Sequence, residues 1–318
     1  MKRTYKIVLV SIITVVLVWW LLSKVAFADI AKALVSVGPY WLALSFILYI
    51  LSTTLRAARF LLTIKGITLP AMLRIVFLHN LSNNILPSFL GELSFVYLVK
   101  KTGKATVGEA TATLLVSRIF DLCAVFGLTA VALLFVSNAP SQFSSLLIGF
   151  GMLLLMLFLL LGWVLLFRHR MLGVTDALLS LLRIRHLHII EYCRAKVHET
   201  VDALERVHSL RTYLMLASVS LGVWLLAYAQ VYVLLSAMGF GVSFFTAALG
   251  TSLYRIASNL PVYGIGGFGT VELTWSAAFV LLGMSSQAAI VSGFSVHIIT
   301  LSYAVLLGVI ATWLHARE

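Results

Sequence analysis

The chain has 318 residues, of which 61% are hydrophobic and 11% charged, against about 45–50% and about 25% in ordinary soluble domains. A soluble protein of this composition would expose far too much apolar surface to water, which excludes a soluble enzyme, a disordered chain and a secreted disulfide scaffold. The net charge of +12 suggests nucleic acid or a membrane surface as a partner, and the distribution of the charges decides between them. The composition predicts an all-α polytopic membrane protein, with one membrane domain over 1–318.

Six apolar segments are long enough to cross a bilayer, which takes about 20 apolar residues. In chain order they are about 7–23, 41–63, 111–136, 143–167, 213–238 and 288–313. The first follows a basic start and precedes Ala26-Phe27-Ala28, so it also resembles a signal peptide. Its length favours a retained first helix.

The only hydrophilic region is 168–211, which carries one apolar helical face formed by Ile190, Cys193, Val197, Val201 and Leu204. This pattern predicts an amphipathic helix on or near the cytoplasmic membrane surface. With the N-terminus inside, nearly all of the 23 Lys and Arg residues fall on the inner side, and the outer loops hold only Lys24 and Lys32. Topology therefore explains the basic excess without nucleic acid, and both termini are expected in the cytoplasm.

Two apolar stretches, about 70–105 and about 243–284, are interrupted by helix-breaking residues. The predicted breaks are Pro87 and Gly91 in the first stretch, and Pro261, Gly264, Gly266, Gly267 and Gly269 in the second. Broken backbone at membrane depth persists only inside protein or beside a watery cavity. We expect two re-entrant hairpins entering from opposite faces; the alternative is two amphipathic surface segments.

The order of the segments repeats along the chain. Each set has two spans, a broken stretch and a further span, over 7–136 and over 143–313. The first set starts inside and the second outside, which is the pattern of an inverted repeat.

Several charged and amide side chains fall in these apolar regions. A charge at the bilayer centre costs about 2.5–3.5 kcal/mol even on a lenient scale, so each must pair or face a polar cavity. Arg118 and Asp121 are three apart on one helical face, which favours an internal salt bridge, whereas Glu92 and Glu272 beside the breaks favour a functional role. The candidate substrate-binding residues are Arg56, Arg59, Asn84, Glu92, Arg118, Asp121, Arg255, Asn259 and Glu272.

Other chemistry finds little support in the sequence. Gly264-x-Gly266-x-x-Gly269 matches the dinucleotide fingerprint, but it lacks a βαβ context. The spacing of His186, His188, Cys193 and His198 fits no standard zinc site, and His297 is expected to be a hydrogen-bonded core residue. No nucleophile–base set is recognisable, so we expect no cofactor, no metal and no enzymatic activity.

Four motifs in this order resemble the lysylphosphatidylglycerol synthase transmembrane region family, also called flippase-like membrane proteins. They are Arg56-Ala-Ala-Arg59; Asn84-x-x-Pro87-x3-Gly91-Glu92; Ser117-Arg118-Ile-Phe-Asp121; and Leu260-Pro261 followed by Gly266-Gly267-x-Gly269-x-x-Glu272. The resemblance implies a prokaryotic cytoplasmic-membrane protein that translocates a lipid or glycolipid, or supports its synthesis. The synthases of the family carry a soluble catalytic domain after the membrane part. This sequence ends at Glu318, so we do not expect synthase activity.

Two functions from different classes remain open. The first is a lipid translocase that moves a phospholipid, glycolipid or polyprenyl-phosphate-linked lipid through a polar site between the repeats. The alternative is a non-catalytic membrane scaffold for a lipid-modifying or glycosyl-transfer enzyme, with 168–211 as its docking surface. The sequence leaves the cargo and the oligomeric state open.

Overall fold

The computed structural model describes residues 14–86, 88–136, 145, 148–149, 151–152, 156, 209–258 and 265–315, and its regular elements within these ranges are all helical. In chain order they are α1 (Thr14–Leu22), α2 (Phe27–Ser36), α3 (Pro39–Leu61), α4 (Leu69–Ile85), α5 (Ser88–Lys101), α6 (Val107–Phe135), α7 (Leu210–Ala237), α8 (Phe244–Ser258), the 3₁₀ turn Ile265–Gly267, α9 (Thr270–Leu281) and α10 (Ser286–His315). The expected all-α polytopic class is confirmed.

Four of these helices, α3, α6, α7 and α10, are long and apolar enough to cross a membrane. Their ends lie within a few residues of the predicted spans. The predicted fourth span, 143–167, lies almost wholly outside the described residues. So does the amphipathic segment 168–211, except for its last three residues. Those three belong to the next span instead, since the Ser209 hydroxyl caps α7 by accepting a hydrogen bond from the Thr212 N–H at 3.1 Å.

The first predicted span ends in a sharp bend. After α1 the chain turns by 84° into α2, and the two helices together would form a fifth crossing. An outer loop was predicted here, and α2 was not. This helix buries Ile30 and Ala33 against Ile290 and Phe294 of α10, so packing rather than length stabilises it.

Both punctuated stretches fold as two antiparallel helices around a break. In the first pair, His79 of α4 contacts Ser94 of α5 at 3.1 Å. In the second pair, the rings of Tyr254 on α8 and Trp275 on α9 are 5.4 Å apart. Pro87, Asn259, Pro261 and Gly264 lie outside the described residues, so their predicted roles stay predictions.

The centre of the fold is the antiparallel pair of α3 and α7. Ser52 donates to the Val223 carbonyl at 3.1 Å, and Arg59, further along α3, reaches Ser220, which comes earlier in α7. The other helices surround this pair symmetrically. The helix α4 packs against α10, and its counterpart in the second set, α8, packs against α6. The contact between α6 and α7 has a smaller counterpart, in which Tyr303 of α10 meets Ser45 of α3 at 2.7 Å.

Candidate functional site

A buried ion pair ties α3, α6 and α7 together. Both terminal nitrogens of Arg59 reach the Asp121 carboxylate, with Nη1–Oδ1 2.5 Å and Nη2–Oδ2 3.1 Å. Nη1 also donates to Ser220 Oγ at 2.8 Å, and the Trp224 indole N–H donates to Asp121 Oδ1 at 2.9 Å. Only 1% of Arg59 is exposed. A bidentate ion pair whose carboxylate accepts further hydrogen bonds has the geometry that offsets the desolvation cost of burial.

This pairing corrects the sequence-based expectation that Arg118 and Asp121 neutralise each other. Asp121 is bound by Arg59 from α3, while Arg118 forms an ion pair with Glu92 of α5. Arg118 and Asp121 share a helical face, but each reaches a different neighbouring helix. The Arg118 and Glu92 side chains are 49% and 29% exposed, so this second pair is accessible where the first is sealed.

Arg56 lies one turn before Arg59 on α3 and has a different environment. Its Nη1 contacts the Asn80 side-chain oxygen at 3.4 Å, and its Nε is buried without a hydrogen-bond partner. Within the described part of the chain Arg56 has no carboxylate partner, although it lies within electrostatic reach of Asp121, Arg59 and Arg118. The cation is therefore hydrogen-bonded to a neutral amide.

The polar face of α4 continues from Asn80 towards the break. Asn84 donates to the Asn80 carbonyl at 2.7 Å, and Asn83 contacts His79 Nε2 at 3.1 Å. Of these polar residues only Asn84 was a candidate from the sequence, and His79, Asn80, Asn83 and Ser94 were not predicted. The signal was present as His79-Asn80-x-x-Asn83-Asn84, which places amides and an imidazole at helical spacing inside an apolar segment.

Glu272 lies apart from this group and is completely buried. One of its oxygens is 2.5 Å from His297 Nδ1, and the other accepts the Gly269 N–H at 2.7 Å, which caps the first turn of α9. Both carboxylate oxygens are thus occupied by protein groups. The expectation that His297 is a hydrogen-bonded core residue is confirmed, whereas Glu272 is not brought to the arginine group.

The glycines that were predicted as breaks have two different roles, in a turn and in a close contact between helices. Gly266, Gly267 and Gly269 have φ values of 62°, 77° and 82°, which glycine adopts without strain. A Cβ placed on Gly266 would lie 3.8 Å from the Asn84 carbonyl oxygen, so the ends of the two helix pairs meet. Gly91, predicted as a break, instead lies inside α5, where an added Cβ would be 2.7 Å from the Asn83 Cα. Its role is to let α5 approach α4 closely.

Arg255 lies at the edge of the same region. Its guanidinium is 4.9 Å from the centre of the Tyr254 ring and within electrostatic reach of Arg118. The structure thus brings together six of the nine candidate residues where α3, α4 and α5 meet the middle of α6, with Arg255 nearby: Arg56, Arg59, Asn84, Glu92, Arg118 and Asp121. Among the described residues no group of His, Cys, Asp and Glu is suited to a metal ion.

The site has more arginines than carboxylates and is partly open. Arg56, Arg59 and Arg118 face Asp121 and Glu92, and Arg255 adds its field from the edge. Guanidinium groups bind carboxylate and phosphate oxygens through paired N–H donors. The arrangement is therefore suited to holding an anionic group.

Comparison with known proteins gives a family match. The family model described as "Lysylphosphatidylglycerol synthase TM region" matches residues 6–308, a range that contains α1–α9 and most of α10. No curated protein and no solved structure matches the chain.

Proposed function

We propose, from the premise that this chain belongs to the lysylphosphatidylglycerol synthase transmembrane-region family, that it is a membrane lipid translocase. The family suggests a membrane protein of lipid metabolism or translocation. In the proposed activity, a lipid headgroup crosses the bilayer through the arginine-rich site while the acyl tails stay in lipid. The chain would act in a prokaryotic cytoplasmic membrane with both termini inside, and without catalysing a covalent step.

The observation that carries this proposal is the position of an open, charged site at membrane depth. Arg118 lies eleven residues after Val107, the first residue of α6, or about 17 Å along the helix axis. In the predicted span 111–136 Arg118 is seven residues, or about 10 Å, from the N-terminal end, and therefore lies inside a hydrocarbon core about 30 Å thick. A guanidinium that is half exposed there requires water or a polar ligand beside it, because bare charge in lipid is strongly unfavourable.

The helix arrangement supports alternating access. Each set pairs one long helix with a broken helix pair and a second long helix, and the first helices of the two sets, α3 and α7, run antiparallel. Sets of opposite orientation are what an inverted repeat requires, and such repeats rock against each other around a fixed midplane site. The meeting of Asn84 with the Gly266 turn puts the two broken pairs beside that site.

The two ion pairs suggest different roles in this movement. The Arg59–Asp121 pair is sealed and holds α3, α6 and α7 as one unit. The Arg118–Glu92 pair is accessible, so an arriving headgroup competes for Arg118 and releases Glu92. An exchangeable pair keeps both charges neutralised before the cargo binds.

The test is translocation by the purified chain in liposomes, measured with a fluorescent lipid and an impermeant quencher that reports the outer leaflet only. We expect faster exchange than in protein-free liposomes, and a strong loss in Arg118→Gln. The matched control is Lys101→Gln, which removes an exposed cation at the end of α5. No exchange by the wild-type chain, together with a co-purifying lipid-modifying enzyme, would support the scaffold alternative.

A further inference from the structure

We infer that Arg56 is the principal ligand for a phosphate group on the cargo, so that the translocated lipid has a net anionic phosphate headgroup. This inference rests on the proposed function and narrows its substrate class. It argues against an aminoacylated, cationic headgroup as the preferred cargo, because the site already holds more guanidinium groups than carboxylates.

The first support is the charge balance of the individual arginines. Asp121 neutralises Arg59, and Glu92 neutralises Arg118. In the part of the chain that the structure describes, this leaves Arg56 with the neutral Asn80 oxygen at 3.4 Å. A cation at this depth without a counter-ion is costly and is retained where it serves a ligand. A phosphate oxygen would supply the missing charge.

The second support is the set of unused polar atoms around the pair of arginines. Arg56 Nε, Arg59 Nε and Ser117 Oγ are buried and have no hydrogen-bond partner. Ser117 lies one turn before Asp121 on the same face of α6, the face that meets Arg59. Ser276 Oγ and Ser295 Oγ, in the other half of the molecule, are unpaired as well, but only here do the unpaired atoms include guanidinium donors. Buried polar atoms are almost always paired in proteins, so these donors are available to a ligand or water.

The third support is the position of Arg118 as a second, movable donor. Arg56 and Arg118 lie within electrostatic reach of each other, and the side chains of the Arg118–Glu92 pair are 49% and 29% exposed on the protein surface. A phosphate bound by Arg56 draws Arg118 away from Glu92 and gains a second charge-assisted contact. A cationic headgroup would face repulsion from both arginines.

The experiment measures binding and translocation separately. Binding to the detergent-solubilised chain is measured for dihexanoyl phosphatidic acid, dihexanoyl phosphatidylcholine and inorganic phosphate. The variants are Arg56→Gln, Arg56→Lys and the surface control Lys101→Gln. We expect phosphatidic acid to bind best, with roughly a 10- to 100-fold loss in Arg56→Gln, a smaller loss in Arg56→Lys, and none in the control.

A stability measurement separates a ligand-binding from a structural role. Arg56 has no carboxylate partner among the described residues, so Arg56→Gln is expected to melt at the wild-type temperature or above it in the absence of lipid. A structural arginine would give a lower melting temperature. Lower melting of Arg56→Gln in the absence of lipid, with its phosphatidic acid binding unchanged, would overturn the inference.

The remaining outcomes distinguish this inference from the proposed function. Equal translocation of neutral and anionic lipids by wild type and Arg56→Gln would overturn the phosphate site and leave the translocase standing. Arg56-dependent binding of phosphatidic acid without translocation would keep the site and overturn the translocase. Equal binding of inorganic phosphate and phosphatidic acid would show a free-phosphate site and would refute the lipid assignment.

Discussion

Arg118 and His297 occupy the same position in two equivalent helices. Each lies eleven residues after the first residue of its helix, Val107 in α6 and Ser286 in α10. Each contacts a glutamate from the second helix of the preceding broken pair, Glu92 in α5 and Glu272 in α9. The side chains of the first pair are 49% and 29% exposed, and those of the second 6% and 0%. Equivalent positions thus hold an open pair in one set and a sealed pair in the other.

The two glutamates are therefore expected to respond differently to the same substitution. Glu272→Gln removes a charge-assisted contact with His297 in a buried site, so it should lower the free energy of unfolding by about 1–3 kcal/mol. Glu92→Gln should leave thermal unfolding nearly unchanged and abolish translocation, because Arg118 loses its exchange partner. The sequence alone favoured a functional role for both glutamates. The structure retains that expectation for Glu92 only.

Thermal unfolding in detergent and the liposome assay, run on both variants, check this difference. A Glu272→Gln variant that melts like wild type but does not transport would return Glu272 to the functional site. Equal destabilisation by both substitutions would contradict the distinction between the open and the sealed pair.

Removing either partner of the Arg59–Asp121 pair alone should strongly destabilise the fold. Asp121→Ala leaves a guanidinium that is 1% exposed without its counter-ion, and breaking such a pair costs about 3–5 kcal/mol. Replacing both partners by apolar residues, Arg59→Met with Asp121→Leu, should recover most of that loss. The check is a double-mutant cycle from denaturation midpoints. Additive effects of the two single substitutions would show that the side chains are not coupled.

The spans and the broken stretches were predictable from sequence because they depend on local properties. Hydropathy over about 20 residues identifies a span, and Gly266 and Gly269 marked a turn because few other residues adopt a positive φ. The helix α2 was missed, since it is short and its stability comes from contacts with α10 that the sequence does not display.

The pairing of the charged residues was not predictable for the same physical reason. Arg118 and Asp121 are three apart, which favours a local pair. The actual partner of Asp121 is Arg59, which lies 62 positions earlier in the chain. Which helices become neighbours decides the partner, and that depends on the packing of the whole bundle. The sequence analysis found the six charged and amide side chains that gather at the site, but not the contacts among them.

The orientation of the chain gives a further prediction. With Cys123 and Cys193 replaced by Ala, Ser141→Cys should react with a membrane-impermeant thiol reagent from the outer side of intact cells. The reason is the concentration of Lys and Arg in the segments assigned to the cytoplasm. Lys104→Cys, between α5 and α6, should react only after the cells are permeabilised. Labelling of Ser141→Cys only after permeabilisation would invert the topology and remove the basis for opposed hairpins.

The close approach of α4 and α5 gives a prediction with a matched control. A methyl group on Gly91 would lie 2.7 Å from the Asn83 Cα and closer still to its amide oxygen, whereas Gly127 on α6 has nothing within 4 Å of an added Cβ. Gly127→Ala should be neutral or stabilising by up to about 1 kcal/mol, because alanine is the better helix former. Gly91→Ala should be destabilising by about 1–3 kcal/mol, since it forces the two helices apart.

Separating α4 from α5 also moves the site, because Asn80 and Glu92 lie on the two helices that would part. Gly91→Ala is therefore expected to slow translocation more than its stability loss explains, when both variants are assayed at a temperature where each is folded. Thermal unfolding and the liposome assay on the Gly91→Ala and Gly127→Ala pair provide the measurement. Equal melting temperatures and equal rates for the two would show that the contact between Gly91 and Asn83 does not hold the helices together.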